Sequence, residues 1–147
     1  MISAPYRRMP HWEAHFARLI ALHARTPFAW GTQDCVTFAA DAVAAITGRD
    51  PIAAIRGTWS CDQGARRALD RFVGRPNIDA AVEIMAQREG WPRVPALSAR
   101  RGDILLLSRP REAECRLAVC AGERALCPGA LGLVADPITA ACKAWAI

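Results

Sequence analysis

Six cysteines stand at positions 35, 61, 115, 120, 127 and 142, and the first has the most chemically suggestive surroundings. The run Phe28-Ala29-Trp30-Gly31-Thr32-Gln33-Asp34-Cys35 leads directly into an alanine-rich stretch with helical spacing. A cysteine in the first turn of a helix meets backbone N–H groups that lack intrahelical partners and the positive end of the helix dipole. Both favour thiolate over thiol, which makes Cys35 a candidate nucleophile. The same N–H groups could stabilise an oxyanion. Asp34 opposes thiolate formation by its charge, unless its carboxylate is engaged as the helix N-cap. Trp30 and Gly31 shape the turn before the helix, the glycine permitting a close chain approach. In an active enzyme they would form one wall of a cleft, so Trp30, Gly31 and Asp34 are candidate binding residues. The competing reading makes Cys35 a packing residue in line with Phe38, Ala39 and Ala42.

A thiol nucleophile needs a base, and the three histidines, His11, His15 and His23, all precede the cysteine. His23 shares an apolar helical stripe with Trp12 and Phe16, so it reads first as a core or boundary residue and second as a weak candidate base, with His15 behind it. His11 and His15 are four residues apart and could chelate a metal, but His-Trp-Glu-Ala-His lacks the His-Glu-x-x-His order of zinc peptidases. Cys115, Cys120, Cys127 and Cys142 contain no Cys-x-x-Cys knuckle. No metal and no cofactor is therefore expected, and the cysteines are read as reduced thiols acting as small hydrophobes.

The elements that must position Cys35 follow from periodicity. Trp12, Phe16, Leu19, Ile20 and His23 mark a first amphipathic helix stopped by Thr26-Pro27. Asp34 to Thr47 forms a second, with Gly48 where a left-handed cap is wanted. Ser60 and Gln63 suggest a capping box for a third helix through Ala65, Leu69 and Phe72, closed by Gly74. A fourth runs from near Asp79 to Gly90. Beyond Arg93 the texture changes to short strands: Ile104 to Leu107, entered from the turn Arg101-Gly102-Asp103, then Leu117 to Ala121, Arg124 to Cys127, Leu131 to Val134 and Cys142 to Trp145. Helices followed by strands predict an α+β fold with a small antiparallel sheet. Trp59, Trp91 and Trp145 read as core or interface anchors. Residues 1–147 are expected to make one domain, with 1–27 a helical extension packed on the core.

The 147 residues are 52% hydrophobic and 22% charged, with a net charge of +5. That composition excludes collagen, coiled-coil and low-complexity classes. Of the nineteen basic residues only Lys143 is a lysine, and the arginines are scattered rather than striped with aromatics. The N-terminal segment with Arg7, Arg8, Arg18 and Arg25 is mildly basic, but no nucleic-acid partner is expected. No apolar run reaches the ~18 residues of a membrane span, and the N-terminus has no signal-peptide pattern, so no membrane partner and a cytoplasmic site of synthesis are expected.

The segment Trp30-Gly31-Thr32-Gln33-Asp34-Cys35-Val36-Thr37-Phe38-Ala39-Ala40-Asp41-Ala42-Val43 resembles the nucleophile region of NlpC-type cell-wall peptidases, a papain-like superfamily. Arg101-Gly102-Asp103-Ile104-Leu105-Leu106-Leu107 is similar to that family's Gly-Asp and core strand. With Gly57-Thr58-Trp59-Ser60 and the terminal Lys143-Ala144-Trp145-Ala146-Ile147, the combination resembles small proteins encoded in phage and prophage tail-gene clusters. The resemblance implies a papain-like (NlpC-type) domain with helices packed on the sheet. It also implies other phage tail proteins, at the tip or hub, as partners, a place in the virion tail, and peptidoglycan as a further partner. Catalytic relatives open the strand after the Gly-Asp strand with histidine; the matching stretch here begins at Arg116. A guanidinium cannot accept a proton at neutral pH, although its charge can lower a thiol pKa. The family's third polar residue would fall near Cys127. The resemblance thus implies a tail-associated structural or assembly protein that has lost its base, with a peptidoglycan peptidase or amidase using Cys35 as the alternative.

Overall fold

The computed structural model describes residues 8–108 and 115–147; Arg7 of the basic N-terminal segment lies outside them. Four helices come first: α1 (Trp12–His23), α2 (Cys35–Thr47), α3 (Asp62–Val73) and α4 (Ile78–Glu89). Six strands follow: β1 (Arg93–Val94), β2 (Ile104–Leu107), β3 (Arg116–Cys120), β4 (Arg124–Gly129), β5 (Gly132–Pro137) and β6 (Ala141–Trp145). They form one sheet in the order β1-β6-β2-β3-β4-β5 with every pairing antiparallel. This is the expected α+β arrangement.

The position of α2 follows from its composition. Small alanines let neighbours approach closely, and most of the helix, from Val36 to Ile46, is buried. Phe16 of α1 is fully buried, with Trp12, Leu19 and Ile20 packed around the same core. On the sheet, period-two alternation divides the side chains. Ile104, Leu106, Leu117 and Val119 join the helices, while Leu105, Leu107, Ala118 and Cys120 form a second cluster with Ala125, Cys127 and Ala144. Trp59, Trp91 and Trp145 are all buried. No helix among the described residues is long and apolar enough to cross a membrane.

Several boundaries differ from the sequence reading. The cap of α3 is Cys61, whose sulfur accepts the Gly64 N–H at 3.3 Å, and not Ser60, which stands one residue too early. Helix α4 starts at Ile78 rather than Asp79, after an Asn77 that makes no side-chain cap. Strand β1, two residues between Pro92 and Pro95, is too short to carry a periodic signal. Strand β5 extends to Pro137, past the expected end at Val134.

One irregularity shapes the site. The Ala121 N–H donates to Arg124 at 2.8 Å, and the Cys120 N–H donates to Asp103 at 2.8 Å. Odd-numbered residues of β3 therefore aim their N–H groups at β4, and even-numbered ones at β2. The β3–β4 ladder runs through Cys120↔Ala125 and Val119↔Leu126 and stops there. The next β4 residue turned towards β3 is Pro128, which has no N–H to give. The register therefore ends before Leu117, because a proline cannot return one of the two reciprocal bonds of an antiparallel pair.

Candidate functional site

Cys35 is the first residue of α2, as its sequence context predicts, and Asp34 is the N-cap. The Asp34 carboxylate is buried and receives three donors. Its Oδ1 accepts the Thr37 N–H at 2.8 Å, and its Oδ2 accepts the Gly31 N–H at 2.8 Å and the Trp59 Nε1–H at 2.7 Å. The Asp34 N–H in turn donates to the Thr37 hydroxyl at 2.8 Å, completing a reciprocal box. The carboxylate is thus engaged in the cap and in anchoring the preceding turn. Gly31 adopts φ +84°, and a Cβ there would stand 2.0 Å from the Trp59 carbonyl oxygen. Only glycine allows this close approach.

The backbone of Leu117, by hydrogen bonding to the Cys35 sulfur, and the positive charge of the Arg116 guanidinium both favour thiolate. They are outweighed. Burial is the largest influence, and with the neighbouring Cys127 thiol and the Asp34 charge it pushes the Cys35 thiol up to about 12. At neutral pH the sulfur is a protonated thiol, packed against both side-chain clusters. The helix dipole that makes Cys35 attractive in the sequence is offset by the desolvation of a half-buried sulfur packed among apolar side chains.

Cys35 faces a cleft of about 810 Å³. Phe28 and Trp30 form one rim, packed edge-to-face with centroids 4.9 Å apart and more than a third exposed. Asp62 and Arg66 of α3 and Asp79 of α4 stand on the helical wall, and Arg116, Cys127 and Pro128 line the strand side. Asp62 and Arg66 pair at 3.2 Å.

The structure brings Cys35, Asp34, Trp30 and Arg116 to this cleft, with Gly31 bonded to Asp34 just behind it. His23 is placed elsewhere: its Nδ1 lies 2.7 Å from Gln33 Oε1, and its ring meets Phe38 edge-on at 5.9 Å. His11 and His15 are exposed on the first turn of α1 and its cap. None of the three lines the cleft. Among the described residues, no group of three or more His, Cys, Asp or Glu could hold a metal ion.

Three contributors escape sequence reasoning. Trp59 reads as a core residue, because nothing in its spacing ties its indole N–H to Asp34. The Leu117 amide has no side-chain signature at all. Phe28 reads as part of the turn, not as the partner of Trp30.

The fold has a solved counterpart. The NlpC/p60 domain of the peptidoglycan hydrolase SagA superimposes with a TM-score of 0.54 at 19% identity, covering 91% of this chain and 97% of that one. No curated protein matches the sequence. The α+β fold of this chain is therefore that of an NlpC/p60 domain. A family model described as a domain of unknown function, DUF6950, matches residues 7–147, and the chain belongs to that family.

Proposed function

We propose that this NlpC-type domain binds in its cleft without cutting, and that it serves as a structural or assembly component of a phage or prophage tail. The observation that carries the first part is the state of Cys35: a protonated thiol in a cleft lined by arginines and by no imidazole among the described residues. Acyl transfer by cysteine needs a partner that removes the thiol proton and later protonates the leaving amine. Absence of a general acid–base costs ~10²- to 10⁴-fold in rate. What remains is a groove with an apolar rim and charged walls, suited to an extended peptide segment. The tail role is supported by the resemblance to tail-cluster proteins, and other tail proteins are the proposed partners.

Iodoacetamide labelling at pH 7, followed thiol by thiol by mass spectrometry, tests the binding reading. Cys35 is expected to react more slowly than the exposed Cys61 and Cys142. Fast, selective labelling of Cys35 would sink it. The tail role predicts that the chain is present in purified tails from a lysogen carrying its gene, and tails lacking it would remove that role.

A second reading, a peptidoglycan peptidase or amidase with Cys35 as nucleophile, is favoured by the Leu117 N–H at the sulfur and by the open cleft. It requires a base supplied by a partner or substrate. Release of peptide fragments from peptidoglycan, lost in Cys35→Ala, would establish it.

A further inference from the structure

The end of α1 holds a buried amide that sits behind the rim of the cleft. Gln33 is 2% exposed, and its Oε1 lies 2.7 Å from Nδ1 of the half-buried His23. Its Nε2 has no partner among the described residues. An amide oxygen only accepts, so this contact needs a proton on Nδ1. An imidazolium always carries one there, whereas a neutral ring does so in one of its two tautomers and in the other meets the oxygen with a bare lone pair. Turning the amide over would pair Nε2 with that nitrogen and leave the buried oxygen alone instead. Either way one end of the amide is left over, and a charged ring makes the stronger bond to the other end. Main-chain bonds carry this anchor to the rim: the Gln33 N–H donates to Ala29 at 2.8 Å and the Ala29 N–H donates to Gln33 at 3.1 Å, closing the turn that presents Trp30. The charges around the ring come from α2 and the loop after it. Burial holds Asp41 of α2 above the ordinary carboxylate range, against the positive charges of Arg56 and then His23. Arg56 pairs with Asp41 at 2.9 Å and with Asp50 at 2.7 Å. Phe38 meets the ring edge-on, and β5 touches this end of α1 through the uncharged Gly132 and Leu133, beside the exposed Arg25.

We infer that His23 is a proton-operated latch on the cleft rim: as imidazolium it holds Gln33, and through the Ala29–Gln33 bridge the turn bearing Trp30, more firmly than it does as imidazole. The latch acts on the rim alone, whether the cleft below it binds or cuts.

Amide hydrogen exchange and histidine NMR shifts, followed together from about pH 5 to 8, test the latch. Protection of the Ala29 and Gln33 N–H groups, corrected for the intrinsic rate at each pH, is expected to fall about tenfold as His23 loses its proton, the difference between a charged and a neutral hydrogen bond. The core amide of Leu105 is expected to keep its protection. In His23→Asn the carboxamide presents an N–H where Nδ1 stood, so protection of the turn should be flat across the range. His11→Asn and His15→Asn should retain the native dependence. Constant protection in the native chain, a fall shared with Leu105, a change that follows His11 or His15, or a slope that survives His23→Asn overturns the inference. So does a His23 that keeps one charge state throughout. The titration of the native chain decides the matter by itself if His23→Asn does not fold.

Discussion

At the scale of single residues, Cys35 and Asp34 are neighbours in a hydrogen-bonded cap yet in opposite electrostatic situations. Asp34 is a buried anion supplied with three donors, whereas Cys35 is a thiol held neutral chiefly by burial. The linkage consequence has a definite sign. The Cys35 thiol, ordinarily at 9.0, is pushed up to about 12 by the fold. The folded state therefore holds the proton more tightly than the unfolded one, and the resulting stabilisation is present below about pH 9 and lost as pH rises towards 12. Urea unfolding between pH 7 and 11 should show a steeper alkaline loss for the native chain than for Cys35→Ala, with parallel curves counting against a buried neutral thiol. Trp59→Phe keeps an aromatic ring and removes one donor from a buried carboxylate; a loss of ~1.5–3 kcal/mol is expected in the same measurement. A cost near zero would mean that the indole N–H contributes packing only.

At the scale of elements, α2 is specified by its own ends. Thr37→Val is close to isosteric, removes the hydroxyl that accepts the Asp34 N–H, and should cost ~1–2 kcal/mol through the cap alone. Helix limits are readable in the sequence because caps are local chemistry: Gly48, Gly74 and Gly90 all adopt the left-handed conformation after their helices. The buried strand Ile104–Leu107 is equally legible, since four consecutive apolar residues after a turn fit a strand covered on both faces. Ser60 misleads because a thiol, a weak acceptor, is a rare cap and a hydroxyl of the usual capping kind stands beside it. The site divides in the same way. Cys35, Asp34, Trp30 and Gly31 lie within six positions and are visible as a pattern, whereas Cys127 lines the cleft, and the buried Trp59 and Leu117 support Asp34 and Cys35 from behind, through tertiary pairing that no spacing records.

At the scale of the whole molecule, the parts of the chain farthest apart in sequence meet at Asp103. Its carboxylate accepts from the Arg8 guanidinium at 2.8 Å, from the Arg100 N–H at 2.8 Å and from the Ile147 N–H at 3.2 Å. Arg8 also donates to the carbonyls of Ile147 and Arg101 and lies over the Trp12 ring. The Gly-Asp pair before β2 thus joins the start of the described chain, the core strand and the last residue. Removing the acid leaves a largely buried guanidinium without its counter-charge, so Asp103→Ala should cost ~3–5 kcal/mol. A drop of under ~1 kcal/mol in chemical denaturation would show that the three segments are held by other contacts. None of these residues lines the cleft, whose strand side is formed by Arg116, Cys127 and Pro128. Shape and reactivity are consequently written at different codons: replacing sulfur by oxygen or hydrogen at position 35 leaves the groove open, and drift can erase hydrolysis from such a scaffold without closing the door through which a guest enters.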